Sequence, residues 1–142
     1  NPKNKMSKSD NNLNNIVSLL DPALVIKKKI KRAVTDSGSD IIFDKKRLGL
    51  ANLLTIYSIV TGNSISKVES IYKGKMYSDF KNDLGDIVVD FLSPIQKEYS
   101  LLMKDKSHIE KILKDGSDKA VNKAYKTLDK VYRKIGLVKK IR

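Results

Sequence analysis

The chain has no cysteine, a single histidine and only three prolines in 142 residues. Without cysteine there are no disulfides and no thiolate metal sites, a pattern compatible with a reducing cytosol. Long apolar runs are missing as well. Ile87-Val88-Val89 and Leu101-Leu102-Met103 are far too short to span a bilayer, so no membrane association is expected. No basic start, apolar stretch and small-residue cleavage site follow one another as in a secretory signal. Acidic residues are scarce relative to basic ones, 16 against 29, which leaves a net charge of +13. A polyanionic partner is the natural reading of that excess, although a Lys-rich composition set by codon usage gives the same number. With 40% apolar residues and this length, one domain with a proper core is expected. The chain opens on Asn1-Pro2 rather than methionine and reads as a piece of something longer.

Almost every segment after residue 20 carries a helical pattern. Asp21 reads as an N-cap with Pro22 at the first helical position, followed by Ala23, Ile26, Ile30 and Ala33 at helical spacing. Residues 35–45 form a turn-rich connector in which Ile41-Ile42-Phe43 suits one short extended piece. A second helix is expected from Lys46 to Thr61, with Gly62 as its stop. A shorter one opens at Ser64 or Ser66, the latter fitting a capping box with Glu69, and Gly74 closes it. From Tyr77 to Lys104, Phe80, Leu84, Ile87, Val88, Phe91, Ile95, Tyr99 and Leu102 make an apolar stripe, with Pro94 expected to kink or divide the helix. Ser107 with Glu110 reads as a capping box for a helix ending at Gly116. A last helix, 117–135, turns Val121, Ala124, Leu128, Val131 and Ile135 inward and stops at Gly136. The expected fold is all-α, a bundle of five or six short-looped helices preceded by a mobile phosphate-binding loop. Residues 1–20 would be loop and linker, and 21–142 the helical domain.

Near the start, Lys5-Met6-Ser7-Lys8-Ser9 places two lysines three apart in a Ser-rich stretch. Their ammonium groups and the Ser7 and Ser9 hydroxyls can converge on a polyphosphate, while a solvated tail is the plainer reading. The pentapeptide resembles the second signature of class I aminoacyl-tRNA synthetases. The resemblance continues in order through Leu19-Leu20-Asp21-Pro22, the stretch KKKIKRAVTDSG at 27–38, Gly49, Asn52-Leu53-Leu54 and Ile56-Tyr57-Ser58. It then takes in Tyr77, Asp79-Phe80-Lys81, Pro94-Ile95-Gln96, Asp115-Gly116, Ala120, Ala124 and Gly136-Leu137. Over essentially the whole chain it is similar to the bacterial tryptophanyl-tRNA synthetases. Departures at Asn11, Arg47-Leu48 and Met76 lie in loops and helix starts, where they concern local geometry.

The resemblance implies a helical C-terminal portion that reaches tRNA, joined to the loop over the ATP phosphates. It implies a parent ligase that activates tryptophan with ATP, Mg2+ accompanying the nucleotide, and charges tRNA(Trp) in the cytoplasm. The His-x-Gly-His element, the tryptophan pocket and a dimer surface of such an enzyme would precede residue 1. The chain alone is therefore expected to be inactive and to bind no cofactor tightly. By resemblance Lys5 and Lys8 are the catalytic cations, and Lys5, Met6, Ser7, Lys8 and Ser9 hold ATP and pyrophosphate. Lys27, Lys28, Lys31 and Arg32 are either a strip contacting tRNA phosphates or a solvated helix face. His108 reads as a surface residue in the first turn of a helix, the tyrosines mainly as core, and no metal ligands are expected. A stand-alone basic helical RNA-binding module and a structural protein of the ribosomal type are the rival readings.

Overall fold

The computed structural model describes residues 12–138. Among the described residues the protein is all-α: a short 3-10 turn at Leu13–Asn15, then α1 (Ala23–Arg32), α2 (Leu48–Thr61), α3 (Ile65–Ile71), α4 (Tyr77–Lys104) and α5 (Lys106–Ile135). The extended piece expected at Ile41–Phe43 does not become a strand. By its internal contacts the chain divides into two compact units, Asn1–Lys97 and Glu98–Arg142.

The first unit is built around one apolar cluster. Ile26 and Ile30 of α1, Ile41 of the connector, and Leu50, Leu53, Leu54 and Tyr57 of α2 meet Val68, Tyr72, Phe80, Leu84, Val88 and Leu92 there. Tyr57, Tyr72 and Phe80 form an aromatic trio. Tyr72 stands nearly perpendicular to both other rings, at 83° and 77° with centroids 5.6 and 5.1 Å away, while Tyr57 and Phe80 stack at 5.9 Å. The Tyr72 hydroxyl donates to Asp83 at 2.9 Å, so the ring is buried without an orphaned polar group. Burial first, then its hydroxyl and carboxylate neighbours, push the Tyr72 phenol far above its ordinary value.

Local caps differ in detail from the sequence reading. Pro22 is the N-cap residue of α1 and makes no side-chain cap bond, while the carboxylate of Asp21, expected as the cap, accepts instead from the Ser18 amide and Lys29. Ser64, rather than Ser66, caps α3 by accepting from the Lys67 amide, and Glu69 reaches instead to the Phe43 amide at 2.6 Å. Gly62 ends α2 at φ 70°, as expected of a left-handed stop. Pro94 sits inside α4, which continues through it; the missing donor leaves the Asp90 carbonyl without its helical bond. In α4 the core follows the row Phe80, Leu84, Val88 and Leu92, whereas Phe91 is half-exposed.

In the second unit α5 runs unbroken through Gly116, where a stop was expected. That glycine keeps a negative φ, and only a left-handed glycine terminates a helix in the expected way. Asp105 takes the capping role expected of Ser107: its carboxylate accepts the Ser107 hydroxyl at 2.7 Å and the His108 amide at 3.0 Å. Those two bonds, in that order, lower the Asp105 pKa. The apolar row Val121, Ala124, Leu128, Val131 and Ile135 forms at the expected spacing, but no residue of α5 is buried, so these side chains are not turned into a core among the described residues.

Candidate functional site

Lys5, Met6, Ser7, Lys8 and Ser9, the expected nucleotide loop, lie outside the described residues. The segment Ser18–Pro22 is held firmly to the helical unit. The Gln96 amide of α4 donates to the carbonyls of Leu19 at 2.8 Å and Asp21 at 3.0 Å. The Asp21 carboxylate accepts from the Ser18 amide at 2.9 Å and from Lys29 Nζ at 2.6 Å. Burial works to raise the Asp21 pKa, but the bonds from Lys29 and Ser18 outweigh it and the net shift is downward. Two stretches that carry the family resemblance, around Leu19–Pro22 and Pro94–Gln96, are thus one physical joint.

The basic run on α1 separates into two populations. Lys29 is nearly buried against Asp21, with only 10% of its side chain exposed. Lys27 pairs with Asp86 of α4, both groups about half-exposed. Lys28, Lys31 and Arg32 are exposed, and among the described residues they have no carboxylate partner. Ile26 and Ile30 bury the opposite side of the helix, which turns these cations to solvent. Lys31 and Arg32 also sit in the last turn, where cations are favoured by the helix dipole.

Immediately after α1, the loop 33–38 is fastened from three sides, a feature that sequence spacing did not expose. The Arg47 guanidinium donates two bonds to the Asp36 carboxylate, each 2.9 Å, and the Tyr77 hydroxyl donates to the same carboxylate at 2.8 Å. Arg47 also donates to the Tyr77 oxygen, and the Gly38 amide closes the loop on Asp36 at 2.8 Å. The Arg47 bonds, chiefly, hold the Asp36 carboxyl well below the usual carboxylate range, with Tyr77 and Gly38 adding to them against a burial cost. On the other side Lys81 of α4 donates to the Ala33 carbonyl at 2.8 Å and the Thr35 hydroxyl at 3.1 Å. Burial lowers the pKa of this ammonium. Gly49 allows the close approach: a Cβ there would sit inside van der Waals contact of the Val34 carbonyl oxygen.

His108 lies in the first turn of α5, its backbone amide used by the cap. Among the described residues no group of three or more His, Cys, Asp or Glu is placed to hold a metal ion. No single described helix is long and apolar enough to cross a membrane; α2 and α3 pass together, but they are bent by 103° and supply core residues.

Comparison with known proteins gives a consistent result. The profile of the family described as "tRNA synthetases class I (W and Y)" matches residues 1–93. A "Tryptophan--tRNA ligase" of Listeria monocytogenes serotype 4b is 49% identical over 142 residues, covering 99% of this chain and 43% of that protein. The Bacillus anthracis protein of the same name is 45% identical over the same extent. Among solved structures, tryptophanyl-tRNA synthetase from Mycoplasma pneumoniae superposes with a TM-score of 0.76 at 32% identity, over 98% of this chain and 44% of that one. The chain therefore spans a little under half the length of the relatives it matches.

Proposed function

The chain belongs to the class I tRNA synthetases of the tryptophan and tyrosine type, and from that premise we propose that it works as part of a tryptophan–tRNA ligase. In this reading it supplies the loop over the ATP phosphates and the helical domain that meets tRNA(Trp), while the tryptophan pocket and any dimer surface belong to the part of the relatives that these 142 residues do not match. The observation that carries the reading is the agreement of residues 1–93 with the family profile; the resemblance of Lys5-Met6-Ser7-Lys8-Ser9 to the second class I signature supports the assignment of the phosphate loop to it. The setting is cytoplasmic, as for other enzymes of translation.

The reaction joins the tryptophan carboxylate to the α-phosphorus of ATP with release of pyrophosphate, and then passes the acyl group from that adenylate to the terminal adenosine of the tRNA with release of AMP. Negative charge moves onto the departing pyrophosphate as the α-phosphorus is attacked. Lys5 and Lys8 act on that charge, and Ser7 and Ser9 add hydrogen bonds. Mg2+ would accompany ATP as part of the substrate and would offset charge on its phosphates. Lys28, Lys31 and Arg32 are the α1 cations available to tRNA phosphates, with Lys27 shared with Asp86.

The test is pyrophosphate exchange in the complete enzyme at varied ATP. Lys8→Ala removes one preorganised charge felt mainly at the transition state. It should lower turnover about a hundredfold, roughly 3 kcal/mol, while weakening ATP binding much less. Lys28→Ala should leave exchange nearly intact. A Lys8→Ala enzyme that changes only the ATP Michaelis constant would refute this role.

A further inference from the structure

The stretch from Ser18 to Pro22 is fastened by polar bonds far more than by packing. Ser18, Leu19, Leu20 and Pro22 are all exposed. Ser18 and Asp21 close a turn on each other: the Asp21 amide donates to the Ser18 carbonyl at 3.1 Å, and the Asp21 carboxylate accepts from the Ser18 amide at 2.9 Å. From α1, Lys29 donates to that carboxylate at 2.6 Å, with 10% of its side chain exposed. From α4, the side-chain amide of Gln96 donates to two backbone carbonyls, those of Leu19 and Asp21, which lie 77 and 75 residues earlier in the chain. Both anchors stand on helices that the core holds, through Ile26 and Ile30 of α1 and Leu92 of α4.

Bonds to backbone carbonyls fix the path of a chain whatever side chains it carries. On the N-terminal side of Ser18 that path leads through the 3-10 turn at Leu13–Asn15, which Asn12 caps by accepting from the Asn14 amide at 3.0 Å. Only Asp10 and Asn11 separate Asn12 from Ser9. A tether gives the group at its end an effective concentration that falls with slack, and converting that concentration into rate also requires orientation. We propose that Gln96 is a positioning residue for tryptophan activation, acting with the Lys29–Asp21 pair through the backbone of Ser18–Pro22 on Lys5 and Lys8. This rests on the reading of those two lysines as the cations that meet the departing pyrophosphate. Stability alone is a weak reason for such a joint, because the segment it holds buries little apolar surface.

The experiment is pyrophosphate exchange by the complete enzyme, with Gln96→Leu made alone and together with Lys8→Ala. Leucine keeps most of the bulk of the side chain and removes both bonds. A misplacement of about 1 Å can cost roughly a hundredfold; since the covalent tether survives here, Gln96→Leu should lower kcat about tenfold and leave the tryptophan KM unchanged. On the Lys8→Ala background the same substitution should cost less than about threefold, because the charge it positions is gone. Lys29→Met should behave like Gln96→Leu, and Lys29→Arg, which keeps a cation for Asp21, should return most of the rate. That pair answers the question if Gln96→Leu does not fold. Asp83→Asn is the control for lost stability: it weakens the bond from Tyr72 on the same helix and should lower the melting temperature with kcat unchanged. An unaltered kcat in Gln96→Leu, or the same fold loss on both backgrounds, would overturn the proposal. So would an equal fall in kcat for Asp83→Asn, since stability would then explain the loss. If Lys8→Ala lowers kcat and Gln96→Leu does not, the positioning role alone fails; if Lys8→Ala leaves kcat untouched, the assignment of the phosphate loop fails and this proposal with it.

Discussion

Replacing Asp36 by asparagine tests whether the loop after α1 is fastened by charge or merely by shape. Asparagine keeps the size of the side chain and an oxygen that can accept from Arg47 and from the Gly38 amide. What it removes is the negative charge that Arg47 and Tyr77 share, together with the second oxygen that accepts from Arg47; Arg47 Nη2 lies 2.9 Å from Asp36, and the Arg47 and Asp36 side chains are 22% and 31% exposed. Charge-assisted bonds are roughly twice as strong as neutral ones, which contribute about 1 kcal/mol each. Solvent screening of a partly exposed pair reduces the gain, so Asp36→Asn should cost about 1–2 kcal/mol at neutral pH. The assay is urea unfolding followed by near-UV circular dichroism, whose signal draws on the buried Tyr57 and Tyr72; a shift in midpoint at constant slope measures the change. The sign with pH follows from the depressed Asp36 pKa. A carboxyl depressed in the folded state adds stability that is complete above the unfolded value, about 4, and is lost as pH falls through the folded value. The deficit of the variant should therefore be constant from about pH 5 upward and shrink as the solution is made more acid. Equal midpoints at pH 7 would refute the ionic fastening, and a deficit that does not change in acid would refute its electrostatic origin.

Two further substitutions read backbone geometry directly. Gly49→Ala would drive a methyl group into the Val34 carbonyl, and since backbone cannot step aside like a side-chain tip it should cost about 3 kcal/mol, at the upper end for overpacking; a rise in the urea midpoint, as helix propensity alone predicts, would contradict the close approach. Gly116→Ala should do the opposite. A Cβ at that position meets nothing within 4 Å and the residue is inside a continuous helix, so helicity at 222 nm should rise and the variant should gain about 1 kcal/mol, whereas a loss of helicity would mean that the helix breaks there.

The helices themselves were readable because their apolar residues recur on one face, and their errors have local causes. Where two capping residues stand close together, as Ser64 with Ser66 or Asp105 with Ser107, the sequence pattern fits both. The choice is made by what else each side chain can reach; Glu69 goes to the Phe43 amide and so cannot complete a box with Ser66. Gly116 resembled a stop because a plausible new start, Ser117-Asp118, comes directly after it. Continuing the helix costs only about 1 kcal/mol at a glycine, whereas stopping and restarting strands two sets of backbone groups. In α4 the row Phe80, Leu84, Val88, Leu92 advances by four, drifting about 40° around the helix at each step. That drift brings Leu92 into the core and leaves Phe91 outside, a choice of row that the stripe alone does not make.

The fastening of the 33–38 loop was out of reach of any spacing argument. Arg47 lies 11 residues from Asp36, Tyr77 lies 41 away, and Lys81 is 46 beyond Thr35; only the fold brings them together. Resemblance marked most of these residues without saying what they do, and it marked Arg47-Leu48 as a departure. The geometry supplies a reason for arginine there, since a planar guanidinium can hold one carboxylate through two nitrogens and a lysine cannot. The same distinction applies to the basic runs. In KKKIKR the fold assigns Lys29 to Asp21 and Lys27 to Asp86, leaving Lys28, Lys31 and Arg32 facing solvent. Net charge counts all five alike, but a cation already held by a carboxylate releases few counterions when RNA approaches. In the proposed contact with tRNA, the salt dependence is therefore set by which cations the fold has left without partners, and on α1 those are Lys28, Lys31 and Arg32, which line one side of the helix.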